Sequence, residues 1–533
     1  MLSPDLLHQV IKGTFKDHLV AWVGEYIKIA HRGSEAAMNA VLDEIDRRIA
    51  ATPPFPGLRH FHDGRRFKQW TGDDSKALMK VYLPAIAGLV PDEVVKTVAA
   101  LLDFCYLVRR SVITQETLRQ IDEALERFHR HRQIFVTSGV RTSFSLPRQH
   151  SLKHYHHLIE EYGAPNGLCS SITESKHIKA VKEPWRRSNR YNALRQMLVT
   201  NQRLDKLAAA RADFKERGMM HGDVLSDALA ARLQVLSESL EPPTTSQAAV
   251  AIHSHRPGAT DRISVPDAAL SNTTSSSSTS PTTADDVEVI EGPRVIGTVD
   301  MAQTPQRAPY PRSLKALGDH VGCPGFIGLV RQFLADQDVV SQLETSEHEA
   351  HEEDSLPDVD PDTDVYSYHS ARATFYSPSD PSGIGGMRAE YIRSVPSWRG
   401  EERRDCAFAV KNPSLSGMPG LHVVRIKLLF SFAHSAKKFP CALVEWFSLV
   451  GDSRDEATGL WVVEPDLLRD GRREISIIHL DSVVRSAHLI PVFGPEYLPP
   501  HFPFSRSLDS FRAYYVNQYA DHHAHELLYV HES

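Results

Sequence analysis

SNTTSSSSTSPTT, residues Ser271–Thr283, is the stretch on which the organisation of this chain turns. It lies inside a longer segment, 241–294, built mainly of Ser, Thr, Pro and Ala. Such a composition buries too little apolar surface to offset the conformational entropy lost on ordering, so 241–294 reads as a disordered linker. The residues before it carry a helical period, and those well after it carry strand signals. A length of 533 residues exceeds what one hydrophobic core usually serves, which implies roughly two to four domains.

On the N-terminal side, 1–240 reads as one helical region. Leu6, Leu7, Val10, Ile11 and Phe15, then Leu19, Val20, Val23 and Ile27, recur at helical spacing. Ser75 to Ile86, Asp92 to Arg109 and Thr114 to Phe135 give further amphipathic helices, with Thr114 as an N-cap. TPPFPGLRHFHDG, Thr52 to Gly64, is a proline-rich connection between helices. A later helix is expected from about Ser188 to Arg217, with Leu194, Leu198, Leu204 and Leu207 buried and its arginines outward.

On the C-terminal side, 295–340 reads as a short helical segment and 341–364 as a second disordered tract. From Glu344 to Asp364 there are 10 acidic residues and no Lys or Arg. Residues 365–533 then read as a β-rich, barrel-like domain. Its strands are expected at Val365–Tyr376, Cys406–Val410, Leu421–Phe432, Phe439–Leu449, Gly459–Glu464 and Ile475–Ala487. Short turns such as AHSAKK and VGDSRDEATG join them, and SLDSFRAYYVNQYADHHAHELL reads as a closing helix across one mouth. The fold class is therefore mixed and multidomain.

The chemistry concentrates in PNGLCSSITESKHIKAVKEPWRRSNRY, Pro165 to Tyr191. Ser170 or Ser171 can cap a helix that starts near Ile172, with Glu174 in its first turn, where a carboxylate gains from the helix dipole. Pro184 should break or kink that helix. Lys176, Lys179, Lys182, Arg186, Arg187 and Arg190 follow as a basic face. From Lys176 to Arg217 there are 12 Lys or Arg against 4 Asp or Glu. Such a stretch attracts a phosphate backbone although the whole chain carries a net charge of −7. A basic, solvated surface helix is the plainer account of the same residues.

Other constellations fail on spacing. The five cysteines form no CxxC pair, which argues for a reducing compartment and against a disulfide scaffold or zinc ribbon. Histidines at His60 and His62, His129 and His131, and His522, His523 and His525 with Glu526 lack an HExxH string or a partner cysteine pair, so no zinc site is assigned. GxSxG, P-loop and GxGxxG strings are absent, and GIGG at Gly383–Gly386 reads as a turn. Asp73 and Asp74 are accounted for by helix capping. Asp5 after Pro4 is either a helix N-cap or, with Glu174, one of the carboxylates that two-metal phosphoryl transfer draws from separate segments. No run of 18 apolar residues is present, and the first 16 residues lack the order of a signal peptide.

Four strings carry a family resemblance: PDLLHQVIKGTFKDHLV (Pro4–Val20), QWTGDDSKALMKVYLPAI (Gln69–Ile86), LPRQHSLKHY (Leu146–Tyr155) and the segment Pro165–Leu207. They resemble the C-terminal half of the Plavaka-type transposases of fungal genomes, relatives of the CACTA superfamily. GLWVVEPD, IIHLDSVVRSAHL and VNQYADHHAHE resemble a module appended to them. The resemblance implies a DDE-type RNase H-like core with a helical insertion, here a partial remnant, and two Mg²⁺ or Mn²⁺ ions held by an acidic triad. Asp5 would be its second carboxylate and Glu174 its third, both catalytic and metal-binding. Met1 stands four residues before Asp5, so an N-terminally truncated transposase is expected, lacking the segment for the first Asp. The expectation is DNA binding through Lys176, Lys179, Lys182, Arg186, Arg187 and Arg190, with strand transfer lost, in the nucleus and neither secreted nor in a membrane. The alternative is a module that binds chromatin proteins through the β-rich domain, with Tyr376, Trp446, Phe447 and Trp461 as an aromatic surface.

Overall fold

The computed structural model describes residues 5–66, 70–167, 177–219, 286–306, 309–344, 356–383, 385–398 and 400–529. They fall into two compact units, one formed by Met1–Ser171 with Pro281–Ser533 and the other by Ile172–Ser280. The architecture is mixed, with a helical N-terminal half and a β-rich, barrel-like C-terminal part.

In the first unit the helices run Leu6–Val20, Ala21–Ala30, Glu35–Ala50, Gly72–Met79, Tyr82–Ile86, Asp92–Val108 and Gln115–His131. Helix Leu6–Val20 has the wide i→i+5 hydrogen-bonding pattern and continues directly into Ala21–Ala30. The apolar stripe read from the sequence is its buried face, with Val10, Phe15 and Leu19 fully inside. Thr114 caps its helix as expected, its hydroxyl accepting from the Thr117 amide at 3.2 Å. Helix Asp92–Val108 is buried nearly all round, because its apolar residues are too many for one stripe.

Among the described residues fourteen strands follow, all paired antiparallel: β1 (Val287–Ile290), β2 (Thr298–Met301), β3 (Val365–Tyr368), β4 (Ser370–Tyr376), β5 (Met387–Trp398), β6 (Glu401–Arg404), β7 (Cys406–Val410), β8 (Leu421–His434), β9 (Lys437–Leu449), β10 (Trp461–Pro465), β11 (Ile475–His479), β12 (Val483–Ala487), β13 (Leu489–Pro491) and β14 (Tyr514–Val516). One sheet runs β1-β5-β4-β2 with β6 on β5. The other runs β12-β7-β8-β9-β10-β14-β13, with β11 on β9 and β3 on β8. The long β8–β9 hairpin turns through Ser435 and Ala436, both at positive φ, as a two-residue turn matched to strand twist requires. Small residues let the sheets approach, since Ala371, Ala373, Ala407, Ala409 and Ala442 share one core with Ile426 and Val444.

Several boundaries differ from the sequence reading. The chain is already in a strand at β1, inside the stretch taken as linker, because Val287, Val289 and Ile290 form a β-branched run with a partner in β5. Of the acidic tract, residues 356–364 are held. Val359 is buried beside Phe326, Val330 and Leu334, and Arg331 pairs with Asp358 at 2.9 Å. Val365–Tyr376 divides into β3 and β4, which lie in different sheets. The closing helix divides into a short turn of helix, Ser507–Ser510, and His522–Leu528, with β14 between them, and Ala524 packs into the core of the N-terminal helices.

That last contact belongs to a larger interlock within the first unit. Arg48, fully buried, donates to Ala87 O at 2.8 Å, Gly494 O at 2.7 Å and Glu496 O at 3.0 Å. Tyr519 donates to Asp103 at 2.6 Å, and the amide of Leu498 donates to Glu44 at 3.0 Å. Arg485 lies between Glu390 at 2.8 Å and Asp521 at 2.6 Å, and all three are within 3% of full burial. Burial opposes the Arg485 charge, but the two carboxylates outweigh it and raise its pKa further. Burial raises Glu390, while Arg485 holds Asp521 well below the carboxylate range against its own burial.

Candidate nucleic-acid interface

The described part of the second unit is a helical hairpin. A wide-turn helix Ile178–Lys182 passes into an α-helix Glu183–Arg187, with Pro184 in its first turn. Proline has no amide hydrogen to give, so the change in helix type falls where its missing donor costs least. A bend over 188–192 leads to helix Ala193–Glu216. Asn201 ties the arms together by donating to Ala180 O at 2.8 Å, with Pro184 and Ala193 buried between them.

The bend is fixed by side chains. Ser188 Oγ donates to Trp185 O at 2.8 Å and accepts from the Arg190 amide at 3.2 Å. Asn189 Oδ1 accepts from the Tyr191 amide at 3.0 Å and from Gln196 Nε2 at 2.5 Å. Gln196 also donates to Tyr191 O at 2.7 Å and accepts from the Asn189 amide at 3.1 Å. Arg190 and Asn192 adopt left-handed backbone, at φ 64° and 48°. Asn tolerates that conformation, but a non-glycine such as Arg normally avoids it.

Lys182, Arg186, Arg187 and Arg190 are all exposed. Arg195, Arg203, Lys206 and Arg211 continue the exposed basic surface. Among the described residues none of these eight enters an ion pair, whereas Arg217 pairs with Asp213 at 3.0 Å. Trp185 and Tyr191 stand among the cations at 44% and 83% exposure. The sequence reading passed over both rings, although their place inside EPWRRSNRY was the available signal.

One expectation about this hairpin is overturned. Leu194, Leu198, Leu204 and Leu207 are exposed rather than buried, at 67%, 60%, 45% and 67%. Helical spacing reports which residues share a face but not whether anything covers it, and no described residue of this unit does.

Lys176 and Glu174 lie outside the described residues, and Lys179 falls in Ile178–Lys182 with no side-chain description. Asp5 belongs to the first unit, as the N-cap of Leu6–Val20. Its Oδ1 accepts from the amides of Leu7 at 3.1 Å and His8 at 3.2 Å, and its Oδ2 pairs with His8 Nδ1 at 2.8 Å. Both carboxylate oxygens are thus engaged by Leu7 and His8 at the start of the helix.

The remaining candidates sit elsewhere in the first unit. Thr71 caps helix Gly72–Met79, while Asp74 closes a capping box by accepting from the Thr71 amide at 2.8 Å and also pairs with Arg59. His522 and His525 are buried against Tyr106, and burial pushes both well below the ordinary histidine range. Glu526 accepts from Ser379 Oγ at 2.5 Å. The four aromatics offered as a binding surface do not form one. Phe447 and Trp461 are core residues, Trp446 donates to Ser476 at 2.7 Å, and Tyr376 lies under Arg294.

A cleft of about 650 Å³ in the first unit has aromatic walls instead. It brings the Thr52–Gly64 connection together with Trp398, Phe502 and Phe504.

The sequence model of the Plavaka transposase family matches residues 1–23, which include helix Leu6–Val20. No curated protein and no solved structure matches the chain. The N-terminal segment is thus similar to a transposase family.

Proposed function

We propose that this is a transposase-derived protein that binds DNA through the basic hairpin of its second unit, with strand transfer lost. The observation that carries the reading is a set of exposed cations with no carboxylate partner among the described residues, in a chain whose arginines are elsewhere so often matched to carboxylates. A surface that keeps Lys182, Arg186, Arg187 and Arg190 free keeps them available to a polyanion. Phosphate contacts of this kind release condensed counterions, so affinity falls with salt.

The family resemblance supplies the direction: of the polyanions available, DNA is the substrate of transposases, and the nucleus is where this chain would meet it. Asp5 works as a helix cap, and binding through arginines needs neither Mg²⁺ nor Mn²⁺. Chelating divalent metal is therefore expected to leave the proposed binding intact.

Titration of the full chain onto labelled duplex DNA over a salt series tests the reading. The wild type is expected to show a steep negative slope of log affinity against log salt. An Arg186→Ala, Arg187→Ala, Arg190→Ala triple variant is expected to reduce that slope by about 2–3, near 0.9 for each lost phosphate contact. Equal slopes for the two proteins would sink the assignment to this hairpin.

A further inference from the structure

We infer that the segment 185–191, the end of one helix and the bend after it, is built to stack unpaired bases, so that single-stranded or opened DNA, rather than intact duplex, is its preferred ligand; the inference rests on the nucleic-acid reading of the same hairpin. Two observations beyond charge support it. The first is the aromatic pair. Trp185 and Tyr191 are large rings that folding leaves at 44% and 83% exposure, on either side of Arg186, Arg187 and Arg190. Exposed rings lose apolar stabilisation, and a site that reads only phosphates has no use for them. A site for unpaired bases does, because every base presents a π-face and the neighbouring cations hold its backbone.

The second is the way Tyr191 is held. A five-residue bend between helices needs no left-handed arginine, yet Arg190 sits at φ 64°. The conformation is kept by the Ser188 contact to the Arg190 amide and by the Asn189–Gln196 pair, which grips Tyr191 by both its amide and its carbonyl. The backbone on both sides of the ring is thus fixed while the ring stays in solvent. Strained backbone maintained by a dedicated hydrogen-bond set is found where a side chain must be presented in one place. In intact duplex the bases are stacked on one another and their faces are closed to such a ring. A stacked Tyr191 therefore has a partner only where the duplex has been opened.

The experiment compares the full chain on a single-stranded oligonucleotide carrying 2-aminopurine and on the matching duplex. Wild type is expected to quench 2-aminopurine in the single strand and to bind that strand more tightly than duplex. Tyr191→Ala is expected to weaken single-strand binding by about 5- to 160-fold, the range for one stacked base, and to remove the quench. Duplex affinity should stay within about 2-fold. Tyr191→Phe keeps the ring and should restore both signals, and Trp185→Ala should repeat the loss. Equal losses on single strand and duplex, or a quench that survives Tyr191→Ala, would overturn the stacking role while leaving the basic hairpin as a duplex binder. Failure of the wild type to bind either form would remove both readings.

Discussion

The arginines of the first unit and those of the second are treated in opposite ways. Arg485 is wholly buried between Glu390 and Asp521, and Arg403 is 2% exposed between Asp286 and Asp405. Arg186, Arg187 and Arg190 are exposed and have no ion pair among the described residues. A guanidinium can be taken out of water only if carboxylates or carbonyl oxygens replace its hydration, which ties its position to the fold. One left in water with no partner contributes little to the fold and remains available to a ligand. The contrast separates arginines that build this protein from those that can act for it.

The sharpest way to break the comparison is to remove one buried arginine. Arg485→Met leaves Glu390 and Asp521 facing each other in the interior, and losing one partner of a buried pair costs about 3–5 kcal/mol. Denaturant unfolding of the variant should show that loss, while Arg186→Ala should stay within about 0.5 kcal/mol of wild type. Comparable losses at the two sites would dissolve the distinction.

A second test uses pH, because the same interior holds histidines away from water. His488 is 2% exposed, with one ring nitrogen 3.1 Å from Pro53 O and the other 2.9 Å from the Asn517 amide nitrogen. Burial lowers its pKa to about 4, and burial does the same to His523. In the unfolded chain both protonate near 6.5. The native state therefore binds fewer protons than the unfolded state between those values. Its advantage is complete above about 6.5 and is lost as pH falls toward 4. Unfolding free energy is expected to drop across that window by up to about 3 kcal/mol for each histidine. His488→Gln should flatten the drop, and an unchanged profile would place the acid sensitivity elsewhere.

The same contrast explains what could be read from the sequence. The N-terminal helices were legible because Leu6, Val10, Phe15 and Leu19 repeat at the helical period and are buried against their own neighbours. Strand β5 was not, because Arg388, Glu390 and Ser394 lie inside and Pro396 interrupts its end, so its sequence reads as surface. Only their partners make those charges interior, Asp380 from the loop before the strand for Arg388 and Arg485 from the distant β12 for Glu390. The shared core of the helices with Leu460, Ile490 and Tyr519 was illegible for the same reason: periodicity is local and its partner is more than 300 residues away. Of the candidate site, the cations were legible by composition, and the bend that presents Tyr191 was not, since its geometry depends on Gln196 reaching back to Asn189.

The smallest expected effect concerns the leucines of Ala193–Glu216. Core leucines cost about 2–5 kcal/mol when cut to alanine, through lost burial and the cavity left behind. Leu204 and Leu207 are 45% and 67% exposed, so alanine there removes little buried surface and creates no cavity. Leu204→Ala with Leu207→Ala should therefore change unfolding free energy by less than about 0.5 kcal/mol, near the ordinary range for surface positions. Leu102→Ala, at a fully buried site in the first unit, should show the full core penalty and serves as the reference. A core-sized loss at Leu204 and Leu207 would mean that this face is covered in solution, and the hairpin would then be a packed surface rather than an open one. The basic residues that share its helix, Arg203, Lys206 and Arg211, would need to be reassessed with it.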